Sequence, residues 1–206
     1  MNLQTGIAEL GLSLPAGAED KLSAYLGLLA KWNKTFNLTA IRDPAEMVTH
    51  HLLDSLAVLP ELEKSALAGR QGFRLTDVGS GAGLPGLVLA IARPNWQVTS
   101  VETVEKKAAF QRQAKIELGL VNVSIHCGRA EAFTEGFDGV ISRAFASLAD
   151  FVTLAGHLST TLWAMKGAYP ANEIAALPAG WQVVASRSLV VPGLDAERHL
   201  LQLEKN

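Results

Sequence analysis

The stretch Leu75-Thr-Asp-Val-Gly-Ser-Gly-Ala-Gly-Leu-Pro-Gly86 constrains this chain more than any other. An apolar run ends in Asp77, a glycine-packed turn comes next, and Leu87-Val-Leu-Ala-Ile-Ala92 then continues as an apolar run of helical character. Strand, turn and helix in that order make a cradle for a nucleotide-like ligand. Gly79, Gly81 and Gly83 remove the Cβ atoms where the backbone must turn sharply and where a ligand must approach main-chain amides. A helix that begins after such a turn opens with N–H groups lacking intrahelical partners and with the positive end of a dipole, so the expected ligand carries a carboxylate or phosphate. Asp77 adds the opposite charge, suited to ordering the loop or to meeting a cationic group of the ligand.

From residue 74 onward short apolar runs alternate with helical ones, the pattern of a parallel sheet with crossover helices. The strands read 74–78, 97–101, 121–126, 138–142, 161–165, 182–190 and 198–204, and the helices 85–92, 104–118, 147–158 and 171–177. Val191 to Glu197 leaves no room for a helix, so the last two strands must pair as an antiparallel hairpin, because parallel neighbours need a crossover. Seven strands closed by such a hairpin are the arrangement expected of a Rossmann-like methyltransferase, whereas an NAD-binding domain keeps its sheet parallel; this is an analogy of fold alone.

Upstream, residues 1–21 read as a short helix and a turn. Leu22, Tyr25, Leu26, Leu29 and Trp32 recur at three- and four-residue spacing, which predicts an amphipathic helix over 18–34. Asp43-Pro44-Ala45-Glu46 places a capping acceptor, a first-turn proline and an acid three residues after the cap, so a second helix should start there. It should turn Met47, Val48, Leu52, Leu53 and Leu56 inward. The polar yet Trp- and Phe-containing stretch 32–42 reads as an ordered loop. The expected organisation is an N-terminal helical extension, 1–70, packed on a core, 71–206.

An apolar fraction of 49% with 18% charged residues is that of an ordinary soluble protein. No basic leader precedes an early apolar segment and no run approaches the roughly twenty apolar residues that span a bilayer. A cytoplasmic protein that meets no membrane is expected. Cys127 is the one cysteine, which excludes an internal disulfide and a Cys-rich zinc site, so no metal is expected; its expected role is that of a small buried hydrophobe. The net charge of −2 supplies no global basic excess for phosphates, so any contact with RNA must use a local patch or a substrate held in place by other means.

The spacing of three glycines fits NAD and S-adenosylmethionine equally. Glu102, about twenty residues past the loop at a strand end, can accept both hydroxyls of an adenosine ribose, which both cofactors own; the alternative is a solvated strand-end glutamate. Two later strand ends add to this. Cys127-Gly-Arg-Ala-Glu131 places Ala130 against an adenine face and Glu131 near the exocyclic amine. Ser142, Arg143 and Ala144 fall at the carboxyl edge of the sheet, the ligand side of such folds.

At these residues the chain resembles a known family over nearly its whole length. The matching blocks are Trp32-Asn33 with Asn37-Leu-Thr-Ala-Ile-Arg-Asp-Pro44, His51-Leu-Leu-Asp-Ser-Leu56, Asp77 to Gly86, Glu102 with Lys106-Lys107, Gly128-Arg-Ala-Glu131, Ser142-Arg-Ala-Phe145, Lys166-Gly167, and Pro192-Gly-Leu194 with Glu197-Arg-His199. Their order and spacing are those of the RsmG family of ribosomal RNA small subunit methyltransferases, also called glucose-inhibited division protein B (GidB). One departure is His50, where the resemblance leads one to expect arginine, so that a permanently charged RNA contact expected there is replaced by a histidine.

The resemblance implies transfer of methyl from S-adenosylmethionine, leaving S-adenosylhomocysteine, to N7 of guanine-527 in the 530 loop of 16S rRNA. Guanine N7 has a lone pair and no proton, so the reaction needs alignment and desolvation and no general base. Arg143 and Lys166 are the candidates to orient the base, Arg143 also being a candidate cofactor contact. Cofactor candidates are Asp77, Gly79, Gly81, Gly83, Leu84, Glu102, Ala130, Glu131 and Arg143. The anion expected at the turn is then the methionine carboxylate, and Asp77 a candidate for the methionine amino group.

The candidates for RNA contact are Arg42, His51, Lys107, Arg112, Lys115, Lys166 and Arg198. Lys107, Arg112 and Lys115 form an arc pointing away from Ala109, Phe110 and Ile116, which suits phosphates but also an ordinary solvated face. His51 reads equally as a buried structural histidine. Trp32 and Phe36 read as core packing in preference to a platform for a flipped base. The partner expected is 16S rRNA presented within the small ribosomal subunit or an assembly intermediate, with the enzyme a monomer. A nicotinamide-dependent oxidoreductase and a non-catalytic Rossmann module that binds ribosome or RNA are the alternatives.

Overall fold

Strand segments that are apolar along their whole length, such as Val140-Ile141 and Leu162 to Met165, are those whose side chains meet protein on both faces of a sheet. The structure, a computed structural model, describes residues 1–64, 72–143, 145 and 147–206. Its sheet holds β1 (Arg74–Val78), β2 (Gln97–Glu102), β3 (Val123–Cys127), β4 (Gly139–Ser142), β5 (Thr161–Lys166), β6 (Trp181–Ser188) and β7 (His199–Lys205). The order across it is β3-β2-β1-β4-β5-β7-β6. The first five strands are parallel, and β7 lies antiparallel between β5 and β6. The predicted α/β class, the terminal hairpin and the antiparallel closure are all present, and no predicted bound of a strand departs by more than three residues.

One face of the sheet is covered by α6 (Gly86–Ala92), α7 (Glu105–Glu117) and the N-terminal helices; the other by α8 (Leu148–Ala155). Strand β7 shows the division: Leu200 joins the first core and Leu201 and Leu203 the second, as alternation along a strand requires. α1 (Leu3–Glu9) precedes α2 (Ala18–Phe36), whose Leu22, Tyr25 and Leu29 are wholly buried. The Tyr25 hydroxyl donates to the Ala82 carbonyl at 2.7 Å, so the N-terminal extension is tied directly to the glycine turn. The boundary expected between 70 and 71 lies outside the described residues, as does Ala144.

Asp43 caps α3 (Pro44–Met47) as expected, accepting from the Ala45 amide at 2.9 Å. The single regular helix predicted beyond it does not form. A π-helical segment, Val48–Leu53, intervenes before α4 (Asp54–Leu56) and α5 (Leu59–Lys64). Each π turn holds more residues than an α turn, so the side chains after it face differently from an uninterrupted helix. His51, read from sequence as an RNA contact or equally as a buried structural histidine, sits inside this segment and is buried.

Two further expectations are corrected. On α7 the buried set is Ala108, Phe110, Gln111 and Ala114, while Ile116 is 73% exposed; the inward face is one residue out of phase with the one read from sequence. Cys127 is half-buried, because it ends an edge strand. Its thiol pKa is pushed up, first by the Glu105 carboxylate beside it. No helix among the described residues is long and apolar enough to cross a membrane.

Candidate active site

The carboxyl edge of the parallel strands carries three adjoining cavities. Beneath the glycine turn lies one of about 100 Å³, lined by Thr39, His51, Gly79, Gly81, Leu84 and Arg143 among others. Gly79 also borders a second, of about 260 Å³, with Val101, Ala130, Glu131 and Phe145. His51 and Arg143 also border a third, of about 350 Å³, with His50, Asp54, Lys166 and Arg198. The three therefore form one row, joined first through a glycine and then through a histidine and an arginine.

The turn is held from behind by buried acids. Gly81 adopts φ of +61°, a conformation that L side chains rarely take, and its amide donates to Glu102 Oε2 at 2.7 Å. Glu102 Oε1 accepts from the Val104 amide at 2.8 Å. At the start of α6, the Gly86 amide donates to Asp77 Oδ2 at 2.7 Å, and a Cβ on Gly86 would lie 2.8 Å from that same oxygen. The amides of Gly79 and Ser80 donate to the Val101 carbonyl, and those of Gly83 and Leu84 to the Ser80 carbonyl. These six amides of the turn, which the sequence offered to a ligand anion, are thus engaged within the protein. That expectation is corrected: two of these donors are held by acids from strand ends, Glu102 and Asp77, and four by the Val101 and Ser80 carbonyls, so what the turn presents is shape beside a buried carboxyl.

Asp77 shows this most directly. It is completely buried, and its second oxygen, Oδ1, has no hydrogen-bond partner among the described residues. Burial pushes its pKa up to about 7, against the pull of the Gly86 amide and of Arg143. An acceptor left without a donor at this depth favours a ligand that brings a donor or a cation. The turn is braced further by a hydrogen-bonded set with no outlet to solvent: Ser100 Oγ to Ser80 Oγ at 2.6 Å, and Gln111 Nε2 to Ser80 Oγ and to the Gly81 carbonyl, both at 2.8 Å. The sequence reading missed these three residues. Their signal was a glutamine at a position of α7 flanked at helical spacing by Ala108 and Ala114.

In the second cavity Ala130 is buried at the start of a short 3₁₀ turn, and Glu131 is paired with Arg129 at 2.7 Å. That hydrogen bond holds Glu131 below the usual carboxylate range, which keeps it an acceptor.

The third cavity is built from side chains. Arg143, just past β4, donates through Nη1 to the His50 carbonyl at 3.0 Å and to Asp54 Oδ2 at 3.1 Å. Arg198, just before β7, donates through Nε to Asp54 Oδ1 at 2.8 Å. Lys166 ends β5 and faces His199 in the ladder; its ammonium donates to Glu173 at 2.7 Å and to the Phe145 carbonyl at 3.2 Å. His51 Nε2 lies 3.0 Å from Thr39 Oγ1, and Nδ1 has no partner among the described residues. Burial first, then Arg143, lowers the His51 pKa to about 4, so the ring is neutral at pH 7.

Of the residues singled out from sequence for RNA, the structure brings His51, Lys166 and Arg198 together with Arg143 around this cavity. Arg42 is exposed and bonds Asn37. Lys107, Arg112 and Lys115 line none of the three cavities, and Arg112 is ion-paired with Glu105. Trp32 packs edge-on against Phe110 with ring centroids 5.8 Å apart, in keeping with core packing, while Phe36 is 38% exposed. Asp54 carried no role in the sequence reading, although a charge among Leu52, Leu53 and Leu56 marks a buried acid that must have partners.

Known proteins share both the sequence and the fold. A family model described as rRNA small subunit methyltransferase G matches residues 18–201. A protein of Azoarcus sp. (strain BH72) named ribosomal RNA small subunit methyltransferase G is 58% identical over 208 residues, covering 98% of this chain and 95% of that one. One of the same name from Methylobacillus flagellatus is 54% identical over 206 residues, covering 98% and 96%. Among solved structures, TrmN from Thermus thermophilus aligns with a TM-score of 0.59 at 20% identity, over 77% of this chain and 53% of that one. A mutant of MtNAS in complex with S-adenosylmethionine aligns with a TM-score of 0.61 at 16% identity, over 100% and 84%. At these identities the two structures speak for the Rossmann-like fold alone.

Proposed function

The chain belongs to the rRNA small subunit methyltransferase G family, and from that premise we propose that it transfers methyl from S-adenosylmethionine to guanine N7 in the 530 loop of 16S rRNA. The observation that carries this reading is the shared wall. His51 and Arg143 border both the cradle beneath the glycine turn and the cation-lined cavity beside it, so a donor in one and an acceptor in the other would meet at those two side chains.

The residues present fit the cofactor. Asp77 Oδ1, buried and lacking a donor, suits the methionine ammonium, and Glu102 suits the ribose through lone pairs beyond those taken by Gly81 and Val104. Ala130 and Glu131 border a cavity of adenine-bearing size, the first apolar and the second an acceptor for an exocyclic amine. When bound, S-adenosylmethionine supplies an electrophilic methyl on a sulfonium. A turn whose donors are already engaged, beside the buried unpaired oxygen of Asp77, favours that cation over a pyrophosphate, which disfavours the nicotinamide alternative.

For the acceptor, the protein's task is orientation. Guanine N7 is already a lone pair, so no side chain has to remove a proton before attack. Arg143 uses Nη1 on Asp54 and the His50 carbonyl, leaving its other N–H groups for the guanine O6 edge while N7 stays free. His51, neutral, adds no charge that would repel a purine becoming cationic. Lys166 is held by Glu173, so it contributes a placed donor and little net field.

The substrate expected from the weak overall charge is rRNA presented by the small subunit or an assembly intermediate. Methyl transfer to naked 16S rRNA, deproteinised subunits and whole subunits tests this. Faster transfer to particles supports it, and equal rates on all three refute presentation by the particle.

A further inference from the structure

Asp54 is 3% exposed in the wall of the acceptor cavity, and its two oxygens are divided between arginines from distant parts of the chain. Oδ2 accepts from Arg143 at 3.1 Å and Oδ1 from Arg198 at 2.8 Å. Each guanidinium is pinned a second time by a backbone carbonyl: Arg143 by that of His50 at 3.0 Å, and Arg198 by that of Glu197 at 2.8 Å. Both arginine side chains remain about a quarter exposed, at 24% and 25%, and both border the cavity. A carboxylate this deep requires such partners, and here it has one on each oxygen.

We propose that Asp54 is a positioning residue for methyl transfer, fixing Arg143 and Arg198 relative to each other so that the acceptor nucleotide meets two guanidiniums already in place. The proposal rests on the acceptor-site reading above. Two arginines side by side repel, and a free arginine has several rotatable bonds to order on binding. A shared carboxylate removes both problems before substrate arrives. Arg143 alone of the two also borders the cofactor cradle, so Asp54 links the reacting junction to Arg198, which borders the acceptor cavity and not the cradle. Because both arginines reach solvent, loss of the carboxylate lets them relax outward, which loses geometry without requiring the fold to be lost.

The test is a kinetic double-mutant cycle on small ribosomal subunits lacking this methylation, with wild type as the control. Asp54→Asn is expected to lower kcat by about 100-fold, the scale of a misplacement near one ångström. Its affinity for S-adenosylhomocysteine should stay within about threefold of wild type; Arg198→Ala alone should lose about tenfold in kcat, yet Asp54→Asn/Arg198→Ala should be no slower than Asp54→Asn alone by more than about threefold, because both changes break one unit. Independent losses that multiply, or a kcat for Asp54→Asn within about threefold of wild type, would overturn the proposal. If Asp54→Asn fails to fold, as judged by thermal unfolding, Asp54→Glu keeps the charge and shifts it by one methylene. It should lose about tenfold in kcat with cofactor affinity intact; wild-type kcat in this variant overturns the proposal too. No transfer by wild type to the same subunits would sink the acceptor-site reading itself, and the role of Asp54 with it.

Discussion

The cradle beneath the glycine turn and the acceptor cavity lie against each other, yet they are made by opposite means. In the cradle the backbone from Val78 to Gly86 sets the shape, and two buried acids, Glu102 and Asp77, hold the Gly81 and Gly86 amides. In the acceptor cavity the backbone only delivers side chains, from residues 50, 54, 143, 166 and 198, and charge pairing sets their positions. The backbone-built site leaves no room for added volume where Gly86 meets Asp77. A side-chain-built site tolerates volume and fails when a charge is removed.

That contrast is most open to breaking at Gly86. A Cβ there would stand 2.8 Å from Asp77 Oδ2 and 2.9 Å from Asp77 Cβ, both wholly buried. Gly86→Ala is expected to weaken S-adenosylhomocysteine binding by at least about 100-fold, or about 2.7 kcal/mol, and to leave affinity for RNA nearly unchanged. Titration calorimetry and filter binding on one preparation check both halves; equal loss of the two ligands would erase the distinction between the regions.

Next in size is Arg143→Ala, at the junction. Loss of one donor aimed at the reacting base should lower kcat by roughly 100-fold, with a smaller change in cofactor affinity. Single-turnover rates with saturating cofactor separate these effects. A loss confined to cofactor affinity would assign Arg143 to the cradle alone.

Legibility in the chain divides along the same line. The glycine turn, Asp77, Glu102 and the terminal hairpin were readable because each depends on residues close in sequence or on strand spacing. The acceptor cavity was readable only as separate matched blocks. Nothing in the spacing says that Asp54 reaches both Arg143 and Arg198, since that pairing depends on how the sheet edge and the N-terminal helices come together. The π-helical segment 48–53 escaped because its apolar spacing also fits an α-helix. The phase of α7 was misread because Gln111 is polar and Ile116 apolar, the reverse of their burial.

A third, smaller effect is one of pH. The Asp77 pKa, pushed up to about 7, exceeds that of an unfolded aspartate, 3.8. The protonated form therefore stabilises the ligand-free fold, fully below pH 3.8, and that contribution is lost as pH rises through about 7. His51 works in the other direction: lowered from 6.5 to about 4, it contributes above 6.5 and loses that contribution as pH falls through about 4. A cationic ligand group beside Asp77 requires the ionised form, so S-adenosylhomocysteine should bind about tenfold tighter at about pH 8 than at about pH 6. Asp77→Asn should flatten that dependence. A wild-type affinity independent of pH in this window would remove the ammonium from Asp77.

Smallest is the effect expected on α7. Lys107 and Lys115 border neither region, so replacing both with alanine should lower kcat/KM by less than about threefold at physiological salt. A large loss, together with a shallower dependence on salt, would extend the acceptor region onto that helix.

The most direct test of the two-region account is to locate the methyl group. Purified protein and S-adenosylmethionine labelled in the methyl should be incubated with small subunits that lack this modification, and the label placed by nucleoside analysis and primer extension. The account predicts label at N7 of a single guanine in the 530 loop. Label on another nucleotide, on an exocyclic oxygen or amine, or on no RNA at all would contradict it.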